Sequence, residues 1–193
     1  MKRIVLTGGP GSGKTAVAAA LHRSQPDRYV VVPEAATQVY SSLNTRWDRL
    51  DPDGRRRVQR QIYQLQLEQE ARLDDDAGGN IMLLDRGTVD GAAYWPEGPE
   101  HYWTELGTTH AAELARYDAV VWLQTCAAIG AYDGDASNAC RHEDAQAAIA
   151  RGEKVLGVWR SHLRLRQVPA FPTFDEKIRA VEAVLSSFLN GGY

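Results

Sequence analysis

The chain has 193 residues, and 22 Lys and Arg against 25 Asp and Glu leave a formal net charge of −3. A length of this order forms one domain that buries roughly 70% of its unfolded surface without help from disulfides or a structural metal. The acidic balance argues against general nucleic-acid binding, which draws affinity from surplus cations on phosphates, and the two cysteines, Cys126 and Cys140, are too few for a disulfide scaffold and lack metal-ligand spacing.

From the N-terminus, Met1-Lys2-Arg3 leads into Ile4-Val5-Leu6, a run that meets Gly8-Gly9-Pro10 at once and so is no signal-peptide core. It reads instead as a buried strand. Residues Gly8-Gly9-Pro10-Gly11-Ser12-Gly13-Lys14-Thr15 then fit G-x-x-x-x-G-K-[ST] at every fixed position, with an Ala-rich helix from Thr15 to Leu21 behind them. The glycines let the backbone fold around an anion and aim successive N–H groups inward, where the positive end of the following helix also points. Gly9 to Thr15 are therefore the expected triphosphate cradle. Lys14 reaches the β- and γ-phosphates and the Thr15 hydroxyl ligates Mg²⁺.

Val30-Val31-Val32 is a second buried strand, followed by Pro33-Glu34 and a helix from about Ala35. Glu34 at this strand end either accepts the proton of an attacking hydroxyl or serves the helix start as a first-turn acid. Val58, Ile62 and Leu65 at i, i+4 and i+7 mark a helix in a Gln- and Glu-rich stretch. Gly78-Gly79-Asn80 is a turn, because the strand Ile81-Met82-Leu83-Leu84 follows directly. Asp85 closes that strand in the manner of a Walker-B carboxylate holding Mg²⁺; the plainer alternative is a cap for the next turn.

The segment 91–110 mixes Tyr94, Trp95, Pro96, Pro99, Tyr102 and Trp103 with few helix signals. Its rings either stack on a substrate or pack in the core. Ala119 to Leu123 is a fourth apolar strand, followed by Thr125 to Cys140, a stretch rich in Ala, Gly, Asp and Asn where ligand-binding loops belong, and a helix from Glu143 to Trp159. Leu163 to Val168 alternates as an edge strand, and Ile178, Val181, Leu185 and Phe188 share one face of a last helix, Phe174 to Leu189. Strands alternating with helices imply a parallel sheet covered on both faces. No apolar run of about 18 residues is present, so no membrane span is expected, and the two cysteines without a disulfide framework make a reduced, cytoplasmic setting the expectation.

Taken in order, Gly8 to Thr15, Pro33-Glu34-Ala35-Ala36, Asp85-Arg86-Gly87-Thr88-Val89-Asp90 and Arg141-His142-Glu143 resemble the NadR-type AAA-domain family of P-loop proteins. The resemblance implies a three-layer α/β/α sandwich of the nucleotide-kinase type over residues 1–193, with five parallel strands in the order 2-3-1-4-5 and, after the fourth, a lid and insert over about 125–162. It also implies a lid arginine that closes on the transferring phosphate, a position matched by Arg141, with Arg151 further along. There is no Asn-Lys-x-Asp guanine-reading motif and no appended nucleotidyltransferase or DNA-binding domain, so neither a Ras-type GTPase nor a multifunctional arrangement is expected.

The leading expectation is a Mg²⁺-ATP-dependent phosphotransferase acting on a hydroxyl-bearing, nucleoside-like small molecule, with GTP as the alternative donor. Lys14, Glu34, Asp85 and Arg141 are its candidate catalytic residues, and Glu34, Arg86, Asp90, Tyr94 and Trp95 its candidate acceptor contacts. A second reading is a regulatory ATP- or GTP-binding protein acting through a partner, which would lack an open acceptor pocket. A third is a polynucleotide kinase using Arg55-Arg56-Arg57 and Arg60 or the run Arg160 to Arg166, against which the net charge of −3 speaks. Lys14→Ala is expected to abolish triphosphate binding or turnover with the fold intact. Equal affinity of variant and wild type for ATP and GTP in a calorimetric titration would remove the loop from this role.

Overall fold

A computed structural model describes residues 1–75, 80–130 and 145–189. Five strands, β1 (Lys2–Gly8), β2 (Tyr29–Val32), β3 (Ile81–Asp85), β4 (Ala119–Leu123) and β5 (Leu165–Val168), form one sheet in the order β2-β3-β1-β4-β5, every pairing parallel. This is the expected α/β topology, with β5 at an edge. Seven α-helices are described: α1 (Lys14–Ser24), α2 (Ala35–Ser42), α3 (Pro52–Asp75), α4 (Pro99–Leu106), α5 (His110–Leu114), α6 (Ala145–Trp159) and α7 (Phe174–Leu189). Among the described residues, no helix is long and apolar enough to cross a membrane.

The near-continuous apolar strands divide their residues by alternation between two cores. Val5, Met82, Leu84, Val120 and Trp122 point to the face covered by α6, where Val155, Leu156 and Trp159 meet them. Ile4, Leu6, Leu83, Val121 and Leu123 point to the other, against Val17 and Leu21 of α1 and Val181, Leu185 and Phe188 of α7. Each side chain of this size buried from water contributes about 1.5–3 kcal/mol, so both layers are strongly held to the sheet.

Two stretches differ from expectation. The last strand starts at Leu165 rather than Leu163, whose side chain is exposed. The segment after β3, which reads as irregular, instead forms a 3₁₀ turn (Thr88–Tyr94) followed by α4 and α5. Pro99 sits in the first turn of α4, left-handed Gly107 ends that helix, and Thr109 caps α5 by accepting from Ala112 N. Aromatic bulk hides these start and stop signals, and the rings of Trp95, Tyr102 and Trp103 fill the α6-side core. After β4, Cys126–Ile129 form another 3₁₀ turn. Residues 131–144, including Cys140, Arg141 and His142, lie outside the described residues.

Register places the working end of the sheet. Leu6 pairs with Asp85, Gly8 with Leu123 and Val32 with Leu84, so the glycine-rich loop, Glu34, Asp85 and Thr125 all emerge at the same carboxyl edge, where open α/β sheets hold their ligands. Helix α6 lies directly on that loop. A Cβ added at Gly9 would stand 2.7 Å from the Ala148 carbonyl oxygen and 3.0 Å from Gly152 Cα, so the contact admits only backbone.

Candidate functional site

The loop from Gly8 to Thr15 has Gly11 and Gly13 in the left-handed region, at φ 66° and 82°. Lys14 is buried, and its ammonium donates to Gly9 O at 3.0 Å and Ser12 Oγ at 3.1 Å. The Thr15 hydroxyl donates to Asp85 Oδ2 at 2.5 Å. The second carboxylate oxygen, Oδ1, is buried with no hydrogen-bond partner among the described residues. Burial and then the nearby Glu34 charge raise the Asp85 pKa, against Lys14, the Thr15 hydroxyl and Arg86. The hydroxyl–carboxylate pair at the loop's exit suits Mg²⁺, which takes one or two protein carboxylates together with phosphate oxygens.

Arg86 follows Asp85 with φ 77°, a left-handed backbone that costs a non-glycine residue of order 1–3 kcal/mol. Its amide donates to Leu6 O at 3.0 Å, and the bend turns the guanidinium inward. Nε donates to Glu34 Oε1 at 2.6 Å, and Nη1 to Gly8 O at 3.1 Å and Asp90 Oδ1 at 2.9 Å. Nη2 has no partner among the described residues. Burial opposes this charge, but Tyr94, Glu34 and Asp90 outweigh it and hold the Arg86 pKa well above the usual arginine value.

Glu34 heads α2 without a side-chain capping bond; besides Arg86 it accepts from Thr37 Oγ1 at 2.5 Å. The carboxylate of Asp90 is committed to the protein. It accepts from Thr7 Oγ1 and Arg86 Nη1 on one oxygen, and from Gly87 N and Trp159 Nε1 on the other.

Two carboxylates absent from the sequence-based site hold this segment in place. Glu70, fully buried, accepts from Gln66 at 3.0 Å, Tyr117 at 2.9 Å, Arg3 at 3.3 Å and Arg116 at 2.5 Å. Glu113 accepts from Tyr63, Thr108 and Thr88. Gln66 Nε2 also reaches Arg86 O, and the Tyr117 hydroxyl accepts from Thr88 N. The signal available in sequence is the polar stripe Gln59, Gln66 and Glu70 along α3 at i, i+7 and i+11, all buried.

Beside Arg86 opens a cavity. Rings of Tyr40, Trp47, Tyr63, Tyr94 and Tyr102 line it beside Arg86. Burial, then the hydrogen bond to Glu113, pushes the Tyr63 pKa up to about 12, so this hydroxyl stays protonated. The buried Tyr94 hydroxyl has no partner among the described residues, and the Arg151 guanidinium of α6 stands 4.8 Å from the Tyr94 ring and 5.6 Å from Trp47. Trp95 is off this wall: only 4% exposed, it bonds His101 Nδ1 at 2.9 Å and packs on Tyr102. Its size and flat shape serve the core rather than this cavity. Arg141 lies outside the described residues.

Two of the four arginines in the α3 cluster are matched by acids. Arg56 pairs with Asp53 and Glu97, and Arg60 with Glu105, while Arg55 stacks 4.5 Å over Trp47. The paired charges of Arg56 and Arg60 are thereby partly neutralised toward a phosphate backbone.

Sheet order, loop and strand-end carboxylate together define a P-loop fold of the kinase type. Residues 3–169 match the profile of a family described as AAA domain, and the chain belongs to that family. No curated protein matches the sequence. Among solved structures, NadR in complex with NR is similar at TM-score 0.66 and 15% identity, covering 97% of this chain and 50% of NadR. NadR with NAD and AMP-PNP gives 0.63 and 17%, covering 96% of this chain and 49% of NadR. The chain thus spans about half the length of NadR. Deoxyadenosine kinase from M. mycoides, with products dCMP and dCDP, gives 0.68 and 13%, with 96% of this chain and 99% of the kinase covered.

Arg86→Met would leave Glu34 and Asp90 buried without their shared cation. Breaking a buried pair from one side costs about 3–5 kcal/mol, to be read as a lowered urea midpoint. A loss below about 1 kcal/mol would show that the two carboxylates do not depend on it.

Proposed function

We propose that the chain is a Mg²⁺-ATP-dependent phosphotransferase whose acceptor is a hydroxyl-bearing small molecule with a planar ring, nucleoside-like in character. The observation that carries this is the open, ring-lined cavity reached through Arg86, which bonds the phosphate loop at Gly8 O and also lines the cavity wall. The regulatory reading expects that pocket to be absent or filled by the protein's own side chains. ATP is favoured as donor because one similar protein was solved with AMP-PNP. The nucleotides held by the deoxyadenosine kinase agree with a base-sized acceptor.

In this reading Lys14, Thr15 and the amides of Gly11, Ser12 and Gly13 hold the triphosphate, with Gly9 and Pro10 shaping the entry. Thr15 and Asp85 would hold Mg²⁺, which neutralises charge on the transferring phosphoryl group. Glu34 takes the proton from the attacking hydroxyl, oriented by the Arg86 bond at 2.6 Å. Arg86 Nη2 and the Tyr94 hydroxyl, both buried without partners among the described residues, supply hydrogen bonds to the acceptor, and the cavity's rings stack on it. Asp90 acts by fixing Arg86. Arg151 above Tyr94, together with Arg141, supplies cationic charge from the lid side.

The test is nucleotide consumption with and without a panel of nucleosides and small alcohols. At least one nucleoside is expected to raise the rate about tenfold or more by positioning its hydroxyl. Tight nucleotide binding with no response to any acceptor would hand the site to the regulatory reading, and steeply salt-dependent oligonucleotide binding to the polynucleotide one. Glu34→Gln is expected to keep nucleotide affinity while slowing turnover about 10²–10⁴-fold. Unchanged turnover would move proton removal to Asp85 or to the substrate.

A further inference from the structure

We infer that Lys177, on α7, is a positioning residue for the phosphate loop: its ammonium holds the outer face of the loop so that the inner amides stay aimed at a triphosphate. The inference rests on the reading of residues 8–15 as a triphosphate cradle.

Lysine is rarely buried without a partner, yet Lys177 is 3% exposed. It occupies the first turn of α7, where the helix dipole disfavours a cation, and it shares the inward stripe of Val181, Leu185 and Phe188. Among the described residues it pairs with no carboxylate. Its hydrogen-bond partners are a backbone carbonyl and a cysteine sulfur, Ser12 O at 3.0 Å and Cys126 Sγ at 3.3 Å. A charge placed against both burial and the dipole is stabilised by an anion brought close, and the site that would bring one lies across the loop.

The neighbouring bonds show what the ammonium accomplishes. The Thr125 hydroxyl donates to Pro10 O at 2.7 Å, Cys126 N to Gly11 O at 3.3 Å and Lys177 to Ser12 O at 3.0 Å. Three consecutive carbonyls are thus tied from outside, two by the turn after β4 and one by α7. In a trans peptide the C=O and the following N–H point in opposite directions. Fixing these carbonyls outward therefore turns the amides of Gly11, Ser12 and Gly13 inward, and the left-handed Gly11 and Gly13 complete an anion nest. Cradle geometry is thereby set before nucleotide arrives, by residues lying far along the chain from it.

Lys177→Met keeps most of the stem and deletes the charge, whereas Lys177→Arg keeps a cationic donor. In calorimetric titrations with ATP and with inorganic tripolyphosphate, Lys177→Met is expected to weaken both about tenfold, and Lys177→Arg to recover most of that loss. Wild-type affinity in Lys177→Met overturns the inference. So does a Lys177→Arg variant that folds and binds as weakly as Lys177→Met, since that would make stem packing the cause. Should Lys177→Met not fold, Thr125→Val decides: about threefold weaker tripolyphosphate binding supports the outer clamp, and unchanged binding sinks it. Lys14→Ala run alongside separates the two levels. If it binds tripolyphosphate like wild type, the cradle reading itself fails; if it loses binding while Lys177→Met does not, only the clamp does.

Discussion

One buried guanidinium ties the working end of the sheet together. Arg86 joins the end of β1 through Gly8 O, the segment after β2 through Glu34, and the turn after β3 through Asp90. Those three elements carry the phosphate loop, the proposed proton acceptor and the floor of the acceptor cavity. A guanidinium suits this position because its fork of donors stays charged when buried and serves several acceptors in one plane. Lysine would offer the charge without the reach. The left-handed backbone at Arg86 is the cost of aiming that fork inward, and the amide bond to Leu6 O offsets part of it.

A strained residue persists only where its surroundings over-determine it, and here the surroundings are polar. Glu70 and Glu113 are buried acids whose oxygens are satisfied by Gln66, Arg3, Arg116, Thr88, Thr108 and the hydroxyls of Tyr63 and Tyr117. Such networks fix one arrangement when every member is partnered, because each unpaired alternative leaves a group desolvated. The fold therefore devotes much of one sheet face to the placement of five residues, Arg86 to Asp90. Among the described residues, three of the buried polar atoms without a hydrogen-bond partner, Arg86 Nη2, the Tyr94 hydroxyl and Asp85 Oδ1, collect around the loop and the cavity, whereas Trp103 Nε1 and Arg116 Nε belong to residues that do not line it.

The five strands, their parallel order and the phosphate loop were legible because each is written locally, in apolar runs of fixed length and in a motif with fixed spacing. The place of Asp85 at a strand end was legible for the same reason. The partners of Arg86 were not, since its bond to Glu34 spans 52 residues and depends on a backbone bend that no neighbouring residue announces. Nor was Lys177, whose bond to Ser12 spans 165 residues. In sequence it is one more cation on an amphipathic helix. The aromatic segment was half legible: Tyr94 lines the cavity, Tyr102 lines it while packing in the core, and Trp95 and Trp103 lie in the core alone. Alternation in a strand would have told these apart, and a 3₁₀ turn leading into a short helix does not.

The contact between α6 and the loop carries a mechanical consequence. Where two elements meet through side chains, rotamer changes absorb small displacements; where Gly9 faces Gly152 and Ala148, only backbone meets backbone. The joint has no padding. The same helix carries Arg151 over the rings of Trp47 and Tyr94, so α6 is a stiff beam resting on the phosphate loop at one side chain position and on the cavity rim at the next. Any tilt of that beam moves both supports together, so the loop and the cavity rim shift as one.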